Sequence, residues 1–220
     1  GDLELPFGDT EAALSMIEER AEKILSDKKL PFLIGGEHLV TLGALRAVFC
    51  VHPDLVVIHF DAHTDLRDEY LGVKLSHASV IRRVWDLLGD DRIYQFGIRS
   101  GERAEWKWAQ EGHTKLTPFD FTGLEAVLKK IEGKPIYFTI DLDVLDPAYF
   151  PGTGTPEAGG VTFLDLLGAA RKVISCANVV ACDLVELAPL LDASGVSTAV
   201  ALKLLLPPPR SAPPRRGTPG

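Results

Sequence analysis

Long apolar runs are missing from this 220-residue chain. None approaches the ~18 residues a membrane span requires, so no membrane partner is expected. A basic n-region is missing too: the chain opens Gly-Asp-Leu-Glu-Leu-Pro-Phe-Gly-Asp, with acids where a secretory signal would carry Lys or Arg. Cysteine is scarce. Cys50, Cys176 and Cys182 make an odd number with no C-x-x-C spacing, which excludes a disulfide framework and a zinc knuckle. Each lies in an apolar stretch and is expected to be a small core residue in a reducing cytoplasm. Excess basic charge is also lacking. The formal net charge of −8 argues against a nucleic-acid partner and is compatible with a small cationic substrate. The Gly-rich stretch 152–160 has no following Lys and is expected to be a rim loop, not a phosphate cradle.

The composition is that of one globular α/β core, 46% hydrophobic and 25% charged. Helical and strand patterns alternate along it. Helices are expected at 10–28, 39–49, 77–88, 101–111, 121–132, 162–175 and 195–206. In the first, Ala13, Ile17, Ala21 and Ile24 are expected to share the buried face. Strands are expected at Pro31–Ile34, Leu55–Phe60, Arg92–Phe96, Lys115–Leu116, Pro135–Ile140 and Val179–Val185. Leu55–Phe60 is apolar throughout, as parallel strands covered on both faces tend to be. The alternation therefore predicts a mainly parallel sheet between two helical layers, a three-layer αβα domain over 1–206. Residues 207–220 differ. Six of the fourteen are Pro, with three Arg among them, and a disordered tail is expected.

Open α/β sheets bind ligands beyond the carboxyl ends of their strands. Four strands here are followed by groups with chemistry. Gly35-Gly36-Glu37-His38 follows the first, Asp61-Ala62-His63-Thr64-Asp65 the second and Asp141-Leu142-Asp143-Val144-Leu145-Asp146-Pro147 the strand at 135–140; Glu186 follows the last. Residues two apart in extended chain point the same way, so Asp61, His63 and Asp65 are expected to converge, as are Asp141 and Asp143. So many carboxylates together repel one another unless a cation joins them. An oxygen-rich set with two imidazoles suits Mn²⁺ better than zinc, and four Asp with two His exceed the needs of one ion. His59, two before Asp61, is either an outer support for that ligand or a satisfied core histidine. His52 and His113 are expected to be solvated, and Trp106 and Trp108 to be packing residues.

Together, G-G-E-H, D-A-H-T-D, S-H-A-S, T-I-D-L-D-V-L-D-P, P-G-T-G-T-P-E-A-G-G and D-L-V-E-L-A-P, in this order over about residues 1–206, resemble the ureohydrolases, the family of arginases and agmatinases. The resemblance implies an arginase-like fold, two Mn²⁺ ions and hydrolysis of a guanidino group to urea and an amine. It places the metal ligands at His38, Asp61, His63, Asp65, Asp141 and Asp143, with Asp61 and Asp141 bridging. The ions would generate a bridging hydroxide. Asp65 would relay a proton to the leaving amine, Glu186 would hold the guanidinium, and His77 would shuttle protons or orient substrate. Glu37 stands where the family usually has Asp. The family's N-terminal strand and an Arg-Pro-Gly-rich segment would precede the present start, so the chain is expected to be N-terminally truncated, and a homo-oligomer when that part is present.

Within the family, the loop Leu66–Ser76 has no Asn and, with Phe96-Gly97-Ile98-Arg99-Ser100-Gly101, resembles agmatinases, which convert agmatine to putrescine and urea. Arginases carry Asn- and Ser-bearing loops there for the α-amino acid. Arg67 or Lys74 facing inward would instead suit guanidinobutyrate, and arginine is a further alternative. An inactive metal-binding fragment is the reading from a different class.

Overall fold

The computed structural model describes residues 1–206, and the Pro/Arg-rich 207–220 lie outside them. Six strands form one sheet: β1 (Phe32–Ile34), β2 (Val56–Phe60), β3 (Ile93–Ile98), β4 (Lys115–Pro118), β5 (Pro135–Asp141) and β6 (Asn178–Val185). Their spatial order is β1-β6-β5-β2-β3-β4, and every pairing is parallel. Seven α-helices connect and cover them: α1 (Thr10–Ser26), α2 (Val40–Val51), α3 (Val80–Leu88), α4 (Arg103–Gln110), α5 (Leu124–Lys130), α6 (Phe163–Cys176) and α7 (Val196–Leu205). The expected αβα domain is found, with element limits within a few residues of the sequence reading.

The sheet is buried on both faces. Val56, Ile58, Phe60, Ile136, Phe138 and Ile140 point to the layer containing α5 and α6, where Phe60 meets Phe96 and Phe138 edge to face. Leu55, Val57, Tyr137 and Ala181 point the other way, to α1, α2 and α3. Burying each such Phe or Leu side chain stabilises the fold by about 1.5–3 kcal/mol. Along α1 the buried residues are Leu14, Ile17 and Ala21, so the stripe is centred one residue later than Ala13.

Some expectations about packing are corrected. Cys50 and Cys176 are exposed and Cys182 is half-buried; all three are free. Cys50 and Cys176 lie in the last turns of α2 and α6, where the apolar pattern runs on past the part of each helix that faces the sheet. His113 is not simply solvated. It stacks on Trp108 with ring centroids 4.3 Å apart, and its Nδ1 is 2.8 Å from Asp90 Oδ1. Among the described residues no helix is long and apolar enough to cross a membrane.

The strand order turns at one place. From β2 the chain steps outward through β3 and β4, then returns to lay β5 on the other side of β2 and steps outward again to β6. Loops leaving the carboxyl ends of β2 and β5 therefore diverge, and the crevice between them is where this architecture places ligands.

Candidate active site

The segment after β2 stays extended at first. Asp61 N donates to Phe96 O, Arg99 N to Ala62 O at 2.7 Å and Thr64 N to Ser100 O, so Asp61 and His63 ride beside the end of β3. The extended geometry stops at Asp65, which has φ +53°. Glu105 fixes this turn: its carboxylate accepts from Thr64 Oγ1 at 2.6 Å and Leu66 N at 3.0 Å, while its other oxygen closes the capping box at the start of α4. Asp141 ends β5, and Asp143 sits in a 3-10 turn, Leu142–Val144, not in extended chain. There Asp141 Oδ1 accepts from Asp143 N at 2.8 Å, and Asp143 Oδ1 accepts from Ala62 N at 3.1 Å. The two acids converge because a capped turn folds one back on the other.

All six expected ligands come together. His38 Nδ1 lies 3.1 Å from Asp61 Oδ2, 3.3 Å from Asp65 Oδ2 and 3.1 Å from Asp141 Oδ2. His63 Nδ1 lies 2.9 Å from Asp143 Oδ2 and 3.5 Å from Asp61 Oδ1. Two groups with metal-ligand spacing result, one around His38, Asp61 and Asp65 and one of Asp61, His63 and Asp143, and Asp61 belongs to both. The His38 ring supplies the test of fit. Its Nε2 is 3.0 Å from Thr139 Oγ1, whereas its Nδ1 is buried without a hydrogen-bond partner. A ring that donates at Nε2 presents a bare lone pair at Nδ1, and here that lone pair meets carboxylate oxygens. Such a site is satisfied by a metal ion or, without one, by a proton on Nδ1.

The electrostatics agree. Burial, then the charges of Asp143 and Asp61, hold the Asp141 carboxyl well above the usual range. Burial and Asp61 raise Asp143 and Asp65. Burial opposes protonation of His63, but Asp143 and Asp61 outweigh it and its pKa is pushed up to about 12. His38 is raised well above its ordinary value by Asp141, Asp61 and Asp65 against the same opposing burial. Without a cation the cluster retains protons; a cation displaces them.

His59 is an outer support. Gln95 Nε2 donates to both His59 Nδ1 and Thr64 O, and Gln95 Oε1 accepts from Thr114, so the amide orientation is determined. His59 Nε2 is left to donate to Asp61 Oδ2 at 2.7 Å. Although His59 falls within ligand spacing of the first group, that hydrogen bond leaves it no free lone pair.

A cavity of about 470 Å³ opens above the cluster. Glu186, with φ +63° after β6, accepts from His38 N at 2.8 Å; burial pushes its carboxyl up. His77 begins a 3-10 turn leading into α3. Its Nδ1 is 3.4 Å from Glu37 Oε1, which raises its pKa, and its ring meets Tyr70 edge to face. Both line the cavity, as do Thr155, Pro156 and Glu157 of the expected rim loop. Arg67 also lines it, but Arg67 Nη2 pairs with Glu102 at 3.1 Å and the guanidinium covers the Tyr70 ring. Lys74 does not reach the cavity wall.

Sequence reasoning missed Gln95, Thr139, Arg99 and Glu157. Arg99 donates to the carbonyls of Gly97, Asp143, Val144, Leu145 and Glu157, clamping the ligand turn to the rim loop. Glu157 accepts from Ser100 Oγ and comes within 3.9 Å of His63 Nε2. For Thr139 a signal existed, since it precedes Asp141 by two residues on one strand face, as His59 precedes Asp61.

Comparison with known proteins gives a consistent family. The family model described as the arginase family matches residues 1–207. An agmatinase of Bacillus anthracis is 49% identical over 207 residues, covering 93% of this chain and 71% of that protein. A guanidinobutyrase of Pseudomonas aeruginosa is 34% identical over 220 aligned residues, covering 93% and 67%. The crystal structure of the agmatine ureohydrolase of Thermoplasma volcanium superposes with a TM-score of 0.80 at 36% identity, covering 90% of this chain and 67% of that one.

Proposed function

Because the chain belongs to the arginase family, we propose that it hydrolyses agmatine to putrescine and urea with two Mn²⁺ ions. Asp61 is the observation that carries the two-metal reading: one buried carboxylate serves both ligand groups, each with a single imidazole available as ligand. His38, Asp61, Asp65 and Asp141 would hold one ion and Asp61, His63, Asp141 and Asp143 the other, and this oxygen-rich set favours Mn²⁺ over zinc. When bound, the ions supply Lewis acidity that activates water at neutral pH.

The chain's own residues do the rest. Glu186, a half-buried carboxylate at the cavity wall, takes the substrate guanidinium by charge-assisted hydrogen bonds. Asp65, free to use one carboxylate oxygen away from its ligand role, passes a proton to the departing amine. His77, whose proton affinity Glu37 raises, serves as the proton shuttle at the cavity mouth. The rim loop and the loop 66–70 form part of the cavity wall around these groups.

Selectivity comes from the far end of the cavity. Among the described residues Arg67 is the only Lys or Arg on its wall, and it is already paired with Glu102 and lies 3.7 Å from Glu105, while Glu157 adds a further carboxylate. A wall of that sign accepts the terminal ammonium of agmatine. It offers the carboxylate of arginine or guanidinobutyrate no unpaired Lys or Arg, and burying a carboxylate without a charged partner costs several kcal/mol, where ~1.4 kcal/mol is already tenfold in rate. Comparing kcat/KM for agmatine, arginine and 4-guanidinobutyrate on the Mn²⁺-loaded protein, with urea as readout, tests this. Equal or better efficiency with either acid overturns the agmatine assignment and leaves guanidino hydrolysis standing.

A further inference from the structure

The carboxylates that line the cavity are not equally free to meet a substrate. The aspartates belong to the ligand cluster. Glu105 spends one oxygen on Thr64 and Leu66 and the other on Glu102 N. Glu102 pairs with Arg67 at 3.1 Å. Among the described residues, Glu186 and Glu157 are left as the cavity carboxylates outside the ligand cluster with no Lys or Arg partner.

These two differ in where they stand. Glu186 accepts from His38 N at 2.8 Å. Glu157 is on the His63 side: His63 Nδ1 faces Asp143, and His63 Nε2 is 3.9 Å from Glu157 Oε1. Glu157 therefore lies one imidazole ring further out than the ligands. A separation of 3.9 Å is too long for a hydrogen bond, so Glu157 is no support for the His63 ring. Instead Glu157 Oε1 accepts from Ser100 Oγ at 2.9 Å, and its other oxygen has no hydrogen bond among the described residues. The residue is firmly placed. Its carbonyl accepts from Arg99 Nη2 at 2.8 Å and Nε at 3.3 Å, and Asp146 holds the loop beyond it by accepting from Gly159 N at 2.8 Å and Gly160 N at 3.1 Å. A half-buried acceptor already fixed in place loses little freedom on binding a cation. Agmatine brings two cations, a guanidinium and, four methylene groups away, an ammonium. The guanidinium must lie at the cluster, which leaves the ammonium for the outer carboxylate.

We propose that Glu157 is the specificity-determining residue that binds the terminal ammonium of the substrate. The assignment rests on the agmatine reading of this site. The ammonium takes no part in bond breaking, so its partner binds ground state and transition state alike, and losing it raises KM more than it lowers kcat. Glu157→Gln keeps the size of the side chain and an acceptor for Ser100, and removes the charge. The probes are agmatine and n-pentylguanidine, which carries a methyl group where agmatine carries its ammonium. Urea release from each by Mn²⁺-loaded wild type and variant gives a ratio of kcat/KM values in which losses common to both substrates cancel. The agmatine-to-pentylguanidine ratio is expected to fall roughly tenfold in Glu157→Gln, chiefly through KM for agmatine, as suits a charge-assisted bond at a half-exposed site. Metal analysis of the same samples is expected to find equal Mn²⁺ in both proteins. A ratio unchanged within about twofold overturns the assignment. Loss of Mn²⁺ from Glu157→Gln overturns it too, by giving Glu157 a role through His63. Guanidino hydrolysis stands in both cases. Wild-type protein that releases no urea from agmatine sinks the agmatine reading and the Glu157 assignment with it.

Discussion

Gly97 joins the fold to the site, and replacing it with alanine is the most informative single perturbation of the scaffold. It lies where the β3–β4 pairing shifts register between Phe96 and Ile98, with φ +87°. A methyl group there would meet Val144 Cγ2 at 2.5 Å and the Asp61 carbonyl oxygen at 3.0 Å. Val144 shares a turn with Asp143, so the methyl would wedge between the carriers of two expected ligands. A left-handed conformation costs an L-residue about 1–2 kcal/mol. Overpacking against Val144 and the Asp61 backbone adds roughly 1–3 kcal/mol. Loss of unfolded-chain entropy returns about 0.4–1 kcal/mol. The expected net destabilisation is about 1–5 kcal/mol. Gly133→Ala is the control, because Gly133 has φ +78° and nothing within 4 Å of the added methyl. It carries the first and third contributions and not the second. Urea unfolding of metal-free Gly97→Ala and Gly133→Ala proteins therefore isolates the packing part. Added Mn²⁺ should stabilise Gly133→Ala as it does wild type, and Gly97→Ala less, because ligand-dependent stabilisation follows affinity. Equal unfolding free energies for the two variants, within about 0.5 kcal/mol, would refute the claim that Gly97 spaces the ligand loops.

Asp61→Asn should lose both ions, since both ligand groups contain Asp61, whereas Glu186→Gln should keep its metal and lose mainly kcat/KM through weaker guanidinium capture; full Mn²⁺ occupancy in Asp61→Asn contradicts the assignment. The His77 pKa is raised above its ordinary value of 6.5, first by its pairing with Glu37, so its contribution to stability is complete below that value and is lost as pH rises through the folded pKa. In urea unfolding of the metal-free protein, His77→Gln should therefore be more destabilising near about pH 5.5 than near about pH 9. Destabilisation independent of pH would show that the Glu37 pairing is not what shifts His77.

Much of the site was legible because its ligands sit at strand ends. A buried strand such as Val56–Phe60 is recognisable from composition alone, and an acid directly after it has few places to go but the sheet rim. The pairing Asp61 with His63 followed from the two-residue period, which the continued pairing with Ser100 preserves. The pairing Asp141 with Asp143 was reached by the same rule and is correct for another reason, the 3-10 turn closed by the Asp143 N–H on Asp141. What could not be read was anything set by contacts across the sequence. Gln95 reaches His59 from another strand, Glu105 reaches Thr64 from a helix 41 residues on, and Arg99 gathers carbonyls from two loops. No local pattern marks these residues, because each is defined by the partner that the tertiary fold brings to it. Cys50 and Cys176 failed in the opposite sense: local apolar context cannot say where a helix leaves the sheet.

Two of the six non-glycine residues with positive φ among the described residues are Asp65 and Glu186, and both lie in the cavity. Each such conformation costs energy and persists only where its surroundings over-determine it. Around Asp65 the surroundings are Glu105, holding the residues on either side, and Arg82 N, which donates to the Asp65 carbonyl. Around Glu186 they are the Gly36 carbonyl, which accepts the Glu186 N–H at 2.7 Å, and the His38 N–H, which donates to its side chain. In both cases the strained residue is an acid that must leave the strand direction to face the crevice. A strand end alone would point successive side chains up and down the sheet. Turning that acid left-handed redirects its own side chain into the space between β2, β5 and β6, so the strain is the means by which a flat rim becomes a concave site.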